Sequence, residues 1–122
     1  LFTALREAVP GMKLRAHFHN TRNTGIANVW AAVEAGVETI DAAIGGLGGC
    51  PFAPGAAGNV ATEDVAYMLA RSGVGTGLDL EKLVETAQWL GGVMGKEMPS
   101  MLARAGAFPT EGAQERGERG GN

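Results

Sequence analysis

The order of the predicted secondary-structure elements constrains the fold of this chain more than any other feature. Two short β-strand patterns, at residues 12–19 and 37–44, alternate with helical patterns. Strands that alternate with helices run parallel and are joined by right-handed crossovers. Because parallel sheets are covered on both faces, two strands alone do not make a stable sheet. The sequence therefore predicts an α/β fold in a chain that is part of something larger.

The first strand pattern separates an apolar face from a polar one. Leu14, Ala16 and Phe18 alternate with a set that includes His17 and His19. Successive side chains of a strand point to opposite faces, so both histidines are expected on one side, roughly 6.6 Å apart. That distance lets two imidazoles meet at one ion. The competing interpretation is a pair of histidines hydrogen-bonded in a polar interior.

Helical periodicity covers most of the remaining sequence up to residue 94. Four helices are predicted, at about residues 1–9, 24–36, 62–73 and 79–94. Asn23 or Thr24 is expected to cap the second helix, and Asp79 the fourth. Trp30 and Trp89 are interpreted as core residues. The segment 99–122, which is polar and glycine-rich from Gly106 onward, is predicted to be a disordered tail.

Composition excludes several classes of function. A net charge of −3 gives no electrostatic support for binding nucleic acid or an anionic membrane. No apolar run approaches the roughly 20 residues that span a bilayer. The chain begins with Leu1 instead of methionine and has no basic segment before an apolar one. These features argue against an intact N-terminus and against a signal peptide. The single cysteine, Cys50, suits a reducing compartment, so a cytoplasmic location is expected and the mitochondrial matrix stays open.

Glycine is concentrated in the segment between the second strand and the third helix. The chain has 20 glycines in 122 residues, about twice the usual share of roughly 7%. Residues 45–59 are therefore not expected to form regular structure, and a connection of this length suggests a function. Cys50 follows Gly48 and Gly49 on this loop, where a thiol can approach a ligand closely. The alternative is an inert small residue.

Four further polar residues are candidates for the same site. Asn59 is either a turn residue or a neutral oxygen ligand for a hard cation. Asp41 either orients a neighbouring histidine or fills a polar interior. Asn20 and Arg22, directly after the histidines, either position the loop or contact substrate.

These residues resemble those of the hydroxymethylglutaryl-CoA lyases. The likeness is carried by His17-Phe-His-Asn-Thr21, Ala27-Asn28, Asp41 and the run GLGGCPFAPGAAGNVATED at residues 46–64. It spans about residues 1–94. It implies that residues 1–98 are the C-terminal part of a TIM (β/α)8 barrel, with residues 12–19 and 37–44 as strands seven and eight and with appended C-terminal helices. An intact barrel has about 250 residues.

The resemblance also implies a reaction and a set of site residues. Enzymes of this family cleave 3-hydroxy-3-methylglutaryl-CoA to acetyl-CoA and acetoacetate. A divalent cation, Mg²⁺ or Mn²⁺, is implied at His17, His19 and Asn59, with an upstream aspartate as a further ligand. Cys50 is implied as the acid/base catalyst, with His17 assisting proton transfer. An acyl-CoA substrate and a homo-oligomeric full-length enzyme are expected, with no nucleic-acid or membrane partner.

Two departures from the family pattern leave the substrate open. Asn20-Thr-Arg-Asn23 stands where the lyases usually have Asp-Thr-Tyr-Gly, and asparagine there is familiar from the related condensing synthases. The synthases lack the Gly-Gly-Cys-Pro element, so Cys50 favours cleavage. The alternatives are a lyase for a related thioester such as citramalyl-CoA, a condensing synthase, or a non-catalytic metal-binding remnant.

Overall fold

The structure, a computed structural model, describes residues 1–49 and 58–108. Its helices are α1 (Phe2–Ala8), α2 (Gly25–Glu34), α3 (Thr62–Arg71), α4 (Leu80–Met94) and α5 (Met101–Ala105), and its strands are β1 (Arg15–His17) and β2 (Thr39–Asp41). A short 3-10 turn spans Ile44–Gly46. Within the described ranges, every helix is too short or too polar to cross a bilayer.

The two strands pair in parallel, as the alternation of elements predicted. Ala16 lies opposite Ile40, and His17 lies opposite Asp41. Each strand has three residues instead of the eight predicted. The ladder is short because the backbone after β1 pairs with another segment: the carbonyl of Phe18 accepts a hydrogen bond from the N–H of Val60.

The apolar face of the sheet packs on the helices, and the polar face does not. Ala16 is buried between Arg15 and His17, which are both exposed. It packs with Ala32 of α2 and with Val37. The larger cluster of buried residues lies between α2 and α3 and consists of Val29, Val60, Val65 and Leu69. The helices therefore fix the sheet from one side and leave the histidine-bearing side open.

Helix α2 is capped by a residue other than the two predicted. Thr24 occupies the N-cap position, but its side chain makes no capping hydrogen bond. The amide oxygen of Asn20 accepts from the N–H of Gly25 at 3.0 Å instead. The prediction of a cap by Asn23 or Thr24 is wrong because the turn after β1 folds back and brings Asn20 to the helix end.

Helix α4 begins as predicted, but one of its aromatic residues is not in the core. Asp79 caps the helix by accepting from the N–H of Lys82, and this hydrogen bond holds the pKa of Asp79 below its ordinary value. Ala87 is the only buried residue of the helix. Trp89 is 65% exposed, so its interpretation as core is wrong. It lies two residues from Ala87, which is about 200° around the helix and thus on the opposite face.

The segment expected to begin a disordered tail forms a helix. Helix α5 has five residues and starts at Ser100, whose hydroxyl accepts from the N–H of Ala103. Asp64 of α3 holds the same end: its carboxylate accepts from Ser100 Oγ at 3.1 Å and from the N–H groups of Met101 and Leu102 at 3.1 and 2.8 Å. The tail prediction is wrong for residues 101–105, and residues 109–122 lie outside the described part.

We expect Asp64→Ala to detach α5, because the substitution removes acceptors from three donors at one helix end. A lost helix cap costs about 1 kcal/mol. Hydrogen exchange should show faster exchange at residues 101–103, and urea denaturation should show a lower free energy of unfolding. Glu85→Ala, at an exposed acid of α4, is the matched control. Unchanged exchange at residues 101–103 in Asp64→Ala would contradict the assignment.

Candidate active site

The carboxyl ends of the two strands are joined by the segment at residues 58–61. Val60 bonds to both sides: its N–H donates to the carbonyl of Phe18 at 3.2 Å, and its carbonyl accepts from the N–H of Ala43 at 3.1 Å. A parallel bridge between Ala43 and Ala61 continues the contact. Asn59 is therefore placed by backbone hydrogen bonds next to the end of β1, although it is distant in sequence.

His19 and Asn59 are direct cross-strand neighbours. They form an antiparallel bridge. The flanking hydrogen bonds run from Asn20 N–H to the Gly58 carbonyl and from Val60 N–H to the Phe18 carbonyl, both at 3.2 Å. The two residues are thus a pair without mutual hydrogen bonds, in which Cβ atoms lie about 4.5–5.5 Å apart on the same face. An imidazole and a carboxamide are brought together by this geometry.

The two histidines also lie side by side, as the alternation of the strand predicted. Their ring centroids are 5.3 Å apart, with an angle of 60° between the ring planes. Both residues are exposed. The polar face of β1 thus presents two accessible imidazoles, of which that of His19 belongs to the cross-strand neighbour of Asn59.

The side chain of Asn59 has one satisfied end and one free end. Its amide nitrogen donates to the carbonyl of Leu47 at 2.9 Å. Its amide oxygen, Oδ1, is buried and has no hydrogen-bond partner among the described residues. An unpaired buried acceptor is costly unless something else satisfies it. An amide oxygen and two imidazoles are a donor set that suits a divalent cation, so the types of residue present fit one.

Gly58 makes the approach of this segment to the glycine loop possible. A Cβ atom at residue 58 would lie 2.1 Å from the carbonyl oxygen of Gly48 and 2.2 Å from that of Gly46. Both distances are far below contact distance, so only glycine fits. The backbone next to Asn59 can therefore lie directly against the turn that precedes the cysteine loop.

Asp41 pairs with an arginine and not with a histidine. Its carboxylate oxygen lies 3.0 Å from Nη1 of Arg15, on the polar face of the sheet. His17 is its register partner on the neighbouring strand, but the hydrogen bond described for Asp41 goes to Arg15. Both side chains are substantially exposed, at 67% for Arg15 and 38% for Asp41, so this contact is not a polar interior. The described contacts do not include a histidine oriented by Asp41, and that role stays a prediction.

The other candidate residues lie around the same end of the sheet. Asn20 positions the loop, since its side chain caps α2; a contact with substrate remains a prediction. Arg22 is exposed in the turn that follows. Gly48 and Gly49 are exposed, and Gly48 has a φ of 107°. Cys50 lies outside the described residues.

Glu63 belongs to this region and was missed in the sequence. It lies in the first turn of α3, where the helix dipole favours a carboxylate. In the structure it is fully buried against Gly45. No group of three His, Cys, Asp or Glu residues with the geometry of a metal site occurs in ranges 1–49 and 58–108. A site there therefore depends on the amide of Asn59.

A parallel α/β unit that gathers histidines and an amide at the carboxyl ends of its strands is the arrangement of α/β-barrel enzymes. The HMGL-like family profile matches residues 1–90. The chain belongs to this family.

Curated relatives and solved structures agree with that assignment. Hydroxymethylglutaryl-CoA lyase YngG of Bacillus subtilis is 46% identical over 97 residues, which cover 80% of this chain and 32% of the relative. (R)-citramalyl-CoA lyase of Chloroflexus aurantiacus is 43% identical over 106 residues, 87% of this chain and 33% of the relative. The chain thus spans about a third of the length of these relatives.

The structure is also similar to that of an HMG-CoA lyase from Acinetobacter baumannii in complex with coenzyme A and 3-methylmalate. The TM-score is 0.81 at 43% identity, and the match covers 89% of this chain and 37% of the other. The short strands and their helices therefore have the arrangement found in a complete lyase.

Proposed function

We propose that this chain is the C-terminal part of a metal-dependent enzyme that cleaves 3-hydroxy-3-methylglutaryl-CoA to acetyl-CoA and acetoacetate. In this proposal β1 and β2 are the seventh and eighth strands of a TIM barrel, and the complete enzyme is a homo-oligomer. The observation that carries the proposal is the buried Oδ1 of Asn59, which has no hydrogen-bond partner among the described residues and belongs to the cross-strand neighbour of His19. The family membership and the lyase relatives support it.

The proposed metal ligands are His17, His19 and Asn59. A bound Mg²⁺ or Mn²⁺ ion supplies Lewis acidity that stabilises negative charge on the substrate oxygens. Asn59 suits this role because its amide nitrogen is already held by Leu47, which leaves the oxygen as the free donor. The exposure of both histidine rings leaves them accessible to an ion and a substrate.

The reaction requires two proton transfers and the rupture of one carbon–carbon bond. The tertiary hydroxyl loses its proton to a base, and we propose that His17 assists this transfer from its place in the ligand set. The electron pair of the broken bond then moves onto the thioester enolate. Cys50 delivers a proton to the enolate carbon, which completes acetyl-CoA. The glycines around Cys50 allow this loop to lie close to the substrate and exclude water.

The test uses a completed chain, in which this sequence is joined to the upstream part of the Bacillus subtilis relative. We expect the purified completed chain to cleave 3-hydroxy-3-methylglutaryl-CoA, to lose activity with EDTA and to regain it with Mn²⁺. Asn59→Ala, which removes the free oxygen, is the matched negative control. A completed chain that folds and binds Mn²⁺ without cleaving any thioester would support a metal-binding remnant instead.

A related thioester is the second candidate substrate. The likeness to a citramalyl-CoA lyase favours it, and the departure at Asn20-Thr-Arg-Asn23 leaves the substrate open. Assaying citramalyl-CoA in parallel separates the two substrates, since a higher kcat/KM for it would replace the first choice. Synthesis of a longer acyl-CoA from acetyl-CoA would indicate a condensing enzyme.

A further inference from the structure

Glu63 is a buried carboxylate whose role the proposed reaction leaves unassigned. It is 0% exposed, and both of its oxygens lie within hydrogen-bond distance of the N–H of Gly45, at 3.0 and 3.1 Å. None of the ion pairs within ranges 1–49 and 58–108 includes it. Burying a carboxylate is costly. A buried carboxylate whose described contact is a single backbone N–H therefore indicates a role in holding that N–H.

The N–H that Glu63 holds belongs to a tight turn at the start of the glycine loop. Gly45 and Gly46 both have left-handed backbone conformations, with φ of 68° and 71°. A Cβ at residue 45 would lie 2.7 Å from Sδ of Met98, which is itself buried. The turn is thus enclosed by Glu63 on one side and by Met98 on the other, and it has little freedom to shift.

The turn leads directly into Leu47, the residue that holds the side chain of Asn59. The Leu47 N–H donates to the carbonyl of Ile44. The carbonyl of Leu47 accepts from the amide nitrogen of Asn59 at 2.9 Å. A continuous series of hydrogen bonds and turn backbone therefore runs from the buried carboxylate to the amide whose oxygen is free.

We propose that Glu63 is a positioning residue for Asn59. Its carboxylate fixes the turn at Gly45, the turn fixes the carbonyl of Leu47, and that carbonyl aims Oδ1 of Asn59 at the metal. This inference rests on the proposed function, in which Asn59 is a ligand. It assigns Glu63 no contact with metal or substrate.

Three substitutions of Glu63 distinguish the effect of its side-chain length from the effect of its charge. Glu63→Ala removes the contact with Gly45. Glu63→Asp keeps the charge but is one methylene shorter, so its oxygens do not reach the N–H. Glu63→Gln loses the charge but keeps an oxygen at the right distance. Val29→Ala, in the core of α2 and equally buried, is the control for a loss of stability alone.

The first measurement is the Mn²⁺ affinity of the completed chain, determined by titration with detection by electron paramagnetic resonance. We expect Glu63→Ala and Glu63→Asp to weaken binding on the order of 10–100-fold, the usual cost of losing a group that orients a ligand. Glu63→Gln should stay within about threefold of the parent, since it keeps the hydrogen bond that the mechanism requires. Val29→Ala should bind as the parent does. Loss of affinity in Glu63→Gln with retention in Glu63→Asp would show that charge matters, and would overturn the proposal.

The second measurement needs no metal and uses the completed chain, prepared free of metal. Nuclear magnetic resonance of the side-chain amide of Asn59 reports its hydrogen bond to Leu47. We expect this amide to exchange faster with solvent in Glu63→Ala and to remain protected in Glu63→Gln. Unchanged protection in Glu63→Ala would refute the connection between Glu63 and Asn59.

The two proposals fail in different ways. If Asn59→Ala leaves Mn²⁺ affinity unchanged, Asn59 is not a ligand and the proposed function fails, whatever Glu63 does. If Asn59→Ala loses the metal while Glu63→Ala and Glu63→Asp retain it, only the positioning role fails.

Discussion

His19→Ala is expected to empty the metal site of the completed chain. His19 is the cross-strand neighbour of Asn59, and its ring lies 5.3 Å from that of His17, centroid to centroid. Its removal takes away the member of the ligand set that neighbours both of the others, Asn59 across the bridge and His17 along the strand. Mn²⁺ affinity should fall by more than the roughly 10–100-fold that losing an orienting group costs, and turnover should fall with it.

Metal content and Mn²⁺ titration of the purified variant provide the measurement. Lys13→Ala is the matched control, because Lys13 is exposed and belongs to the same polar alternation of the first strand pattern. Its metal content should equal that of the parent. Full metal occupancy in His19→Ala would remove this residue from the ligand set.

Cys50→Ala is expected to have the opposite signature, with the metal kept and turnover lost. If the thiol delivers the proton to the enolate carbon, its removal should lower kcat by on the order of 10²–10⁴, the range for a general acid/base. Cys50→Ser should recover little of this, because a hydroxyl is a much weaker acid than a thiol, whose ordinary pKa is about 8.5. Steady-state kinetics with parallel metal analysis separate the two effects.

The structure does not describe Cys50, so this experiment tests a role that the resemblance to the lyases implies. Loss of metal in Cys50→Ala would make the thiol a ligand or a structural support. Unchanged kcat would assign the proton transfer to another group.

The features predicted correctly from the sequence are those set by local periodicity. The alternation around Ala16 placed both histidines on one face, and the order of elements gave parallel strands. Asp79 was identified as a helix cap because the residues that it serves are three positions away. In each case the interacting groups are close in sequence, so the pattern contains the necessary information.

The errors share a different cause. Helix α5 has only five residues, too few for a periodic signal, and it is held by Asp64, which lies 36 to 38 positions earlier. Asn20 replaced Thr24 as the cap because a turn folded back. The core interpretation of Trp89 rests on its place on an apolar face of the helical pattern, but in the structure it lies on the face of α4 opposite the buried Ala87.

The features of the candidate site fall into the same two groups, those that a local pattern predicts and those that depend on distant contacts. The ligand types and the glycine-rich loop can be read from the sequence, and the likeness to the lyases joins them into one proposed site. Neither the partner of Asp41 nor the burial of Glu63 can be read there. Arg15 and Gly45 are 26 and 18 positions from these two carboxylates, and no local pattern specifies which distant group a carboxylate meets.

The sequence by itself determined the α/β class, the shared face of His17 and His19, and the family to which the chain belongs. Only the tertiary structure decided that the nitrogen of Asn59 is held by Leu47 while its buried oxygen has no partner among the described residues, and that Glu63 is enclosed against Gly45. The physical reason is that a strand's alternation follows from covalent geometry. The partner of a buried polar atom depends instead on how separate segments pack together.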